Sequence, residues 1–176
     1  DGEIGLLPAG TRADYGTGSN FVVAWTSDGQ DGSDGGVYGQ IYNSDGAVQG
    51  SEFQVNSYTN DLQSRPSLAA QSDGGFGVIW DSYGQDGSEN GVYGQGFTGG
   101  GLKVGSERLI NTETEGSQGW SAGVTLSNGG TVVIWESEGQ DGDSWGIFGQ
   151  MYNSSGTRQG SEFQVNTYTQ GSQGYK

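Results

Sequence analysis

The chain has 176 residues, of which 37 are glycine and only 30% are apolar, and its formal net charge is −15. So much glycine disfavours long helices, because each interior glycine costs roughly 1 kcal/mol relative to alanine. An acidic surface repels polyanions, which argues against nucleic acid as a partner, and no apolar run approaches the roughly 20 residues that a membrane-spanning helix needs.

The residue types exclude further classes of function. The chain has no histidine and no cysteine. The usual ligands of zinc, haem and iron–sulfur clusters are therefore missing, as are the Ser-His-Asp and Cys-His arrangements of hydrolases. We expect no organic cofactor. Aromatic residues form 11% of the chain, which argues against disorder because disordered segments are poor in them.

A unit of 55 residues occurs three times along the chain. Trp25, Trp80 and Trp135 keep this spacing, as do the three Gly-Gln-Asp-Gly tetrapeptides. A fixed period of this size predicts repeated supersecondary units. We assign one repeat domain, 1–176, with units 12–66, 67–121 and 122–176. Residues 1–11 contain a degenerate copy of the segment 50–55 and are predicted to form an extra strand.

The second unit shows what each repeat contains. Short runs rich in β-branched and aromatic residues occur at 67–71, 76–80, 92–97 and 107–111, separated by turns with glycine, aspartate or asparagine. This pattern predicts an all-β fold with four antiparallel strands per repeat. Four strands in about 50 residues is the size of one β-propeller blade. The alternative is a β-trefoil, which also has three four-stranded repeats.

The repeat resembles one found in large secreted bacterial surface proteins. The resemblance rests on Phe21–Trp25, on the segment 27–33, on Gly36–Gln40 and on Glu52–Asn56, and it extends from about Thr11 to Lys176. Those proteins are described as hemolysin-type or calcium-binding repeat proteins. The resemblance implies an extracellular or cell-surface location, adhesion, and calcium as a candidate ligand, although the nonapeptide Gly-Gly-x-Gly-x-Asp does not occur here.

An acidic loop between the second and third strands of each unit is the candidate metal site. Calcium takes six to eight oxygen ligands, and closely spaced aspartates around a glycine bend can wrap one ion. The first unit is the best candidate. The alternative is that these aspartates cap their own loops by accepting backbone N–H groups. The candidate metal ligands are Asp28, Asp31, Asp34, Asp86, Glu89, Asp141 and Asp143.

Two tryptophans break the repeat and are candidates for ligand binding. Trp25, Trp80 and Trp135 end the most apolar strand of each unit, so we expect them in the core. Trp145 replaces a glycine and an asparagine of the other units, and an unrepeated tryptophan in a loop is a better binding candidate. Trp120 also breaks the pattern. Stacking on a sugar ring would need polar neighbours, for which the repeated Gln30, Gln85 and Gln140 are candidates.

Other repeated polar residues are predicted to be structural. They occupy the same place in every unit, and a repeat fold usually needs such groups for buried hydrogen bonds between neighbouring units. They comprise Gln40, Gln95 and Gln150; Glu52, Glu107 and Glu162; Asn56, Asn111 and Asn166; and Gln63, Gln118 and Gln173.

These observations favour a non-catalytic extracellular binding or adhesion module, lectin-like and with calcium as a candidate ligand. The partner would be a glycan or another cell-surface polymer. The alternative is a structural subunit or spacer of a surface assembly, which associates with other copies of the repeat as a homo-oligomer. Glycosidases need two carboxylates at a set separation, one of them with a raised pKa. No unit carries a distinctive unrepeated pair in an apolar setting, so we do not expect an enzyme.

Overall fold

A computed structural model describes residues 4–5 and 20–174, which form strands and turns without a helix. Twelve strands are present in this part of the chain, and the first has only two residues. They are β1 (Ile4–Gly5), β2 (Phe21–Asp28), β3 (Gly35–Tyr42), β4 (Val48–Gln54), β5 (Gln63–Ala70), β6 (Phe76–Tyr83), β7 (Asn90–Phe97), β8 (Lys103–Leu109), β9 (Gln118–Thr125), β10 (Thr131–Glu138), β11 (Trp145–Tyr152) and β12 (Arg158–Gln164).

The strands form three antiparallel sheets of four, each in simple chain order. Sheet 1 contains β1 to β4, sheet 2 contains β5 to β8, and sheet 3 contains β9 to β12. The all-β class and the three antiparallel repeats are as predicted. In sheet 2 the predicted strands coincide with β5, β6, β7 and β8 within a few residues.

The turns follow the predicted asparagine and glycine chemistry. Asn43 Oδ1 accepts the backbone N–H groups of Asp45 and Ala47 at 3.0 and 2.8 Å. Gly46 has a φ of 79°, a conformation that costs other residues about 1–2 kcal/mol. The same arrangement recurs at Asn153 in sheet 3. These side chains satisfy the backbone of the turn and fix the register of the hairpins on either side.

A repeated glutamine closes a bulge between the last two strands of each sheet. In sheet 1 the pairing shifts between Gly39 and Ile41, and Gln40 Nε2 donates to the carbonyls of Ile41 and Gln49 at 3.1 and 3.2 Å. Gln95 and Gln150 do the same in sheets 2 and 3. The structural role predicted for these glutamines is confirmed, but each acts inside its own sheet and not between neighbouring sheets.

The asparagines after the fourth strand connect one sheet to the next. Asn56 Oδ1 accepts the Val37 N–H at 2.8 Å, and its Nδ2 donates to Gln63 Oε1, at the start of β5, at 3.0 Å. Asn111 links sheet 2 to Gln118 of β9 in the same way. These buried bonds link each sheet to the next, which is the role that the repeated residues predict.

The sheets pack face to face in chain order. One apolar core lies between sheets 1 and 2, where Val22, Ala24 and Ile41 meet Val78 and Trp80, among others. A second core lies between sheets 2 and 3 and includes Ile79 and Ile110 on one side and Val133, Trp135 and Phe148 on the other. Trp80 and Trp135 are 0% and 1% exposed, which confirms them as core residues, whereas Trp25, for which the same is predicted, is only partly buried.

The three sheets form an open stack and do not close into a ring. The boundaries 66/67 and 121/122 fall inside β5 and β9, so sheets 2 and 3 each begin four residues before the unit drawn from sequence. Of the predicted extra strand, residues 1–3 and 6–11 lie outside the described residues. Ile4–Gly5 pairs antiparallel with Ala24–Trp25, at the edge of sheet 1 of its own chain. No helix with the length and apolar character of a membrane crossing occurs among residues 4–5 and 20–174.

Candidate functional site

Two unrepeated tryptophans and an arginine meet where the first strands of sheets 2 and 3 begin. The rings of Trp120 and Trp145 pack edge to face, with centroids 5.5 Å apart and an interplanar angle of 89°. The guanidinium carbon of Arg65 lies 4.4 Å from the centroid of the Trp120 ring. Trp120 is nevertheless 44% exposed. The aromatic surface is therefore held in place by neighbours and still open to solvent.

Backbone bulges turn Arg65 and Trp120 into this position. The pairing of β5 with β6 shifts between Ser64 and Ser67, and that of β9 with β10 shifts at the corresponding place. Arg65 and Trp120 have φ values of 53° and 50°. Such left-handed residues cost on the order of 1–3 kcal/mol and cluster at binding and active sites. The two residues lie 55 positions apart, at the same place in their units.

A buried carboxylate holds both bulges. Asp81, the residue after Trp80, is 0% exposed. Its Oδ2 lies 3.2 Å from Arg65 Nη1 and accepts the backbone N–H of Trp120 at 3.1 Å. Buried charges are stable in proteins when they are paired and hydrogen-bonded. One carboxylate of sheet 2 thus fixes an arginine of its own sheet and a tryptophan of sheet 3. We call Arg65, Asp81, Trp120 and Trp145 the tryptophan site.

Sequence reasoning identified Trp120 and Trp145, although Trp145, predicted to lie in a loop, is the first residue of β11. It missed their two polar neighbours. Arg65 occupies the repeat position of Trp120, so it breaks the repeat in the same way. Asp81 corresponds to Thr26 and Glu136 in the other units. Aligning the units position by position points to Asp81, because Trp80 and Ser82 on either side of it are constant in all three units. Arg65 lies in a stretch whose neighbouring positions also vary, so the alignment gives no such signal for it.

The three glutamines predicted to bind ligand lie elsewhere. Gln85 Nε2 donates to Glu107 Oε1 at 2.7 Å, and Gln30 and Gln140 donate to Glu52 and Glu162 of their own sheets. Glu107 and Glu162 also reach across to the segment that follows the preceding sheet. Glu107 Oε2 accepts the Ser57 N–H at 2.5 Å. The contacts of Gln30, Gln85 and Gln140 therefore tie loops to the outer strands and place none of them at the tryptophan site.

The aspartates of the acidic loops cap their own loops. Asp31, Asp86 and Asp141 each accept a backbone N–H two residues ahead, at 3.2 to 3.3 Å. Backbone bonds from Gly29 to Asp34 and from Gly84 to Glu89 close the first two loops at 2.7 Å. These contacts match the capping alternative described for this position.

The candidate metal ligands do not cluster in the described part of the chain. Asp28, Asp34, Glu89 and Asp143 are exposed, and Asp143 Oδ2 accepts the Gly171 N–H at 2.9 Å. Among residues 4–5 and 20–174, no three acidic side chains form a group that could hold a metal ion. The arrangement therefore does not fit the six to eight oxygens of a calcium site.

Burial and two nearby carboxylates raise the pKa of a core tyrosine in sheet 2. Burial raises the pKa of Tyr93 to about 12, and the charges of Asp86 and Glu107 act in the same direction. At the same position in sheet 1, burial raises the pKa of Tyr38, and the charges of Asp31 and Glu52 raise it further. The third sheet has Phe148 there. This position therefore needs an aromatic ring and does not need a hydroxyl.

Comparison with known proteins gives a distant structural likeness. No protein-family model and no curated protein sequence matches the chain. Among solved structures, the fold is similar to an endo-arabinase from Bacteroides thetaiotaomicron, with a TM-score of 0.47 and 14% sequence identity. The match covers 73% of this chain and 51% of that one, so the chain spans about half the length of the enzyme it resembles.

Proposed function

We propose that this protein is a non-catalytic glycan-binding module whose ligand contacts the tryptophan site. The observation that carries the proposal is that side chains which differ between the repeats meet at one exposed place. Residues kept in all three units serve the fold, as the buried asparagines and glutamines do. Trp120 is exposed and contacts Trp145 and Arg65. No other unit has a tryptophan at this position, so the repeat fold does not require it.

The chemistry of the site suits an amphipathic ring such as a sugar. A flat apolar surface accepts the C–H face of the ring, and the adjacent guanidinium supplies donors for hydroxyl groups. Asp81 holds Arg65 and Trp120 in place before any ligand arrives, which reduces the entropic cost of binding. The net charge of −15 disfavours strongly anionic polymers at long range. We therefore propose neutral polysaccharides as the ligand class.

The proposed setting is extracellular, and the proposed binding needs no calcium. The resemblance to secreted surface repeats supports this location. The calcium-dependent form of the hypothesis would place the ion at Asp28, Asp31 and Asp34, at the acidic loop and away from the tryptophan site. A binding assay with and without chelator separates the two forms.

We infer the blade form of the fold from the separate four-stranded meanders that stack in chain order, an arrangement that suits propeller blades better than a β-trefoil. A glycan array tests the function. We expect retention on neutral polysaccharides by the unaltered chain and loss of that retention with Trp120→Ala. Equal retention of both proteins would contradict the tryptophan site, and no retention on any glycan would contradict glycan binding altogether.

A second candidate function is a subunit of an assembly built from copies of this chain. A specific observation favours it. The outer face of sheet 3 exposes Ile134, Phe163 and Val165 at 40%, 40% and 48%, and the positions of Ile134 and Val165 are buried in the other two sheets.

A further inference from the structure

We infer that the outer face of sheet 3 docks onto the outer face of sheet 1 in a second copy of the chain. This inference rests on the self-association candidate above and is independent of the tryptophan site. It assigns the two surfaces, their relative direction and the residues that meet. The chain already contains two such contacts, one between sheets 1 and 2 and one between sheets 2 and 3, which we call joints.

Every sheet has two faces, and the repeat gives each face a constant role. At the joint between sheets 1 and 2, Ala24 and Val55 of sheet 1 lie in the same core as Val78 and Trp80 of sheet 2. At the joint between sheets 2 and 3, Ile79 and Ile110 occupy the places of Ala24 and Val55, and they pack with Val133 and Trp135 of sheet 3. We call these the forward face and the rear face of a sheet.

Among residues 4–5 and 20–174, no further sheet packs on the forward face of sheet 3, and the residues of that face are apolar. Ile134 and Val165 are 40% and 48% exposed, whereas the corresponding Ile79 and Ile110 of sheet 2 are 4% and 3% exposed. Val124 and Met151 extend the patch and are 59% and 38% exposed. Contiguous exposed apolar surface of this kind marks an interaction site.

The rear face of sheet 1 is the matching surface. Phe21 and Tyr42 stack with centroids 5.2 Å apart at an interplanar angle of 12°. In sheet 2 the corresponding rings, Phe76 and Phe97, stack at 5.1 Å and 10°. Phe76 and Phe97 are 4% and 1% exposed beneath sheet 1, whereas Phe21 and Tyr42 are only partly buried. Sheet 1 thus carries the aromatic pair that a preceding sheet covers elsewhere.

One contact recurs at both internal joints and predicts the contact at the third. Phe53 of sheet 1 packs against Phe97 of sheet 2, with centroids 5.4 Å apart. At the next joint Arg108 takes the place of Phe53, and its guanidinium carbon lies 4.8 Å from the centroid of the Tyr152 ring. In sheet 3 this position is Phe163, which is 40% exposed. We expect Phe163 of one copy to pack on Phe21 and Tyr42 of the other.

A polar contact across the joints supports the same direction. Glu107 of sheet 2 accepts the Ser57 N–H from the segment after sheet 1. Glu162 of sheet 3 accepts the N–H and hydroxyl of Thr112, after sheet 2, at 2.7 and 2.9 Å. By the same spacing, Glu52 of the second copy reaches Thr167 of the first. The contact uses different faces on the two copies, so it is head-to-tail and builds a closed ring or a chain of copies.

Light scattering across a dilution series tests this interface. We expect the mass to rise with concentration to at least twice the 18.3 kDa of one chain. Ile134→Glu changes the forward face of sheet 3 and should keep the protein monomeric. Phe163→Glu is a second variant of that face, and Leu102→Glu is the control, since Leu102 is 72% exposed in a turn of sheet 2. Melting temperatures verify that each variant is folded.

A mixing experiment tests the direction of the contact. Tyr42→Glu changes only the rear face of sheet 1, so it too should be monomeric alone. A mixture of Ile134→Glu and Tyr42→Glu should form a heterodimer, because each variant keeps the face that the other lacks. An unaltered chain that stays monomeric would overturn both the interface and self-association. Association that survives Ile134→Glu and Phe163→Glu, or a mixture that stays monomeric, would overturn this interface alone.

Discussion

The backbone N–H of Trp120 donates to Asp81 Oδ2 at 3.1 Å, so a carboxylate of sheet 2 fixes a strained residue of sheet 3. The same oxygen lies 3.2 Å from Arg65 Nη1. This relationship joins the fold to the proposed site, because Arg65 and Trp120 are the side chains that the ligand would meet.

Asp81→Asn should destabilise the fold and weaken glycan binding together. The variant keeps the shape of the side chain but removes the charge that pairs with Arg65 and receives the Trp120 N–H. Arg65 is about one third exposed, so water screens part of the loss, and we expect about 1–3 kcal/mol in the free energy of unfolding. Urea unfolding measures it. Asp45→Asn, at an exposed turn, is the control and should change neither property. Unchanged stability in Asp81→Asn would show that the carboxylate does not hold the site.

Asn111→Ala should cost more stability than the same change in the third unit. Asn111 is 1% exposed, accepts the Val92 N–H and donates to Gln118 and to the Glu113 carbonyl. Its removal leaves buried groups unpaired, which we expect to cost about 2–3 kcal/mol. Asn166 makes the corresponding bonds but is only half-buried, so Asn166→Ala should cost less than about 1 kcal/mol. Equal losses in the two variants would contradict the role of Asn111 as a buried link between sheets.

Tyr93→Phe should reduce the loss of stability at alkaline pH. Burial, with Asp86 and Glu107, raises the folded-state pKa of Tyr93 from 10.0 to about 12. The folded state therefore favours the neutral phenol. This contribution is fully present below pH 10 and is lost as the pH rises towards 12. Phe148 occupies this place in the third unit, so the variant should fold. Urea midpoints at pH 8 and pH 11 should differ less for Tyr93→Phe than for the unaltered chain, and an equal difference would contradict the raised pKa.

Chelation should leave both the melting temperature and glycan binding unchanged. The loop aspartates accept backbone N–H groups, and no group of three acidic side chains occurs in the described part of the chain. Differential scanning fluorimetry with a chelator and with added calcium measures the effect. Should calcium raise the melting temperature, and Asp34→Asn abolish that rise, the first loop would be a calcium site after all.

The strands could be predicted from sequence because each unit repeats the same alternation and the same turn residues. Trp80 and Trp135 could likewise be assigned to the core from their place at the end of an apolar strand. The pairing of Arg65 with Trp120 could not be predicted, because it depends on the packing of sheet 3 on sheet 2 and on a bulge in each first strand. Position-by-position comparison of the units would have singled out Asp81, which lies between constant neighbours, but not Arg65, which lies among other varying positions. Only the packing of the sheets brings Arg65 to the Trp120 ring.

The most direct measurement of the central claim is the affinity for a neutral polysaccharide, obtained by calorimetry with matched tryptophan variants. A central aromatic contact contributes about 2 kcal/mol or more, so Trp120→Ala and Trp145→Ala should each raise the Kd by roughly thirtyfold. Tyr168→Ala removes a 65% exposed ring outside the site and should leave the Kd unchanged. A Kd that stays the same in both tryptophan variants, or that rises only with Tyr168→Ala, would contradict the assignment of the ligand to Trp120 and Trp145.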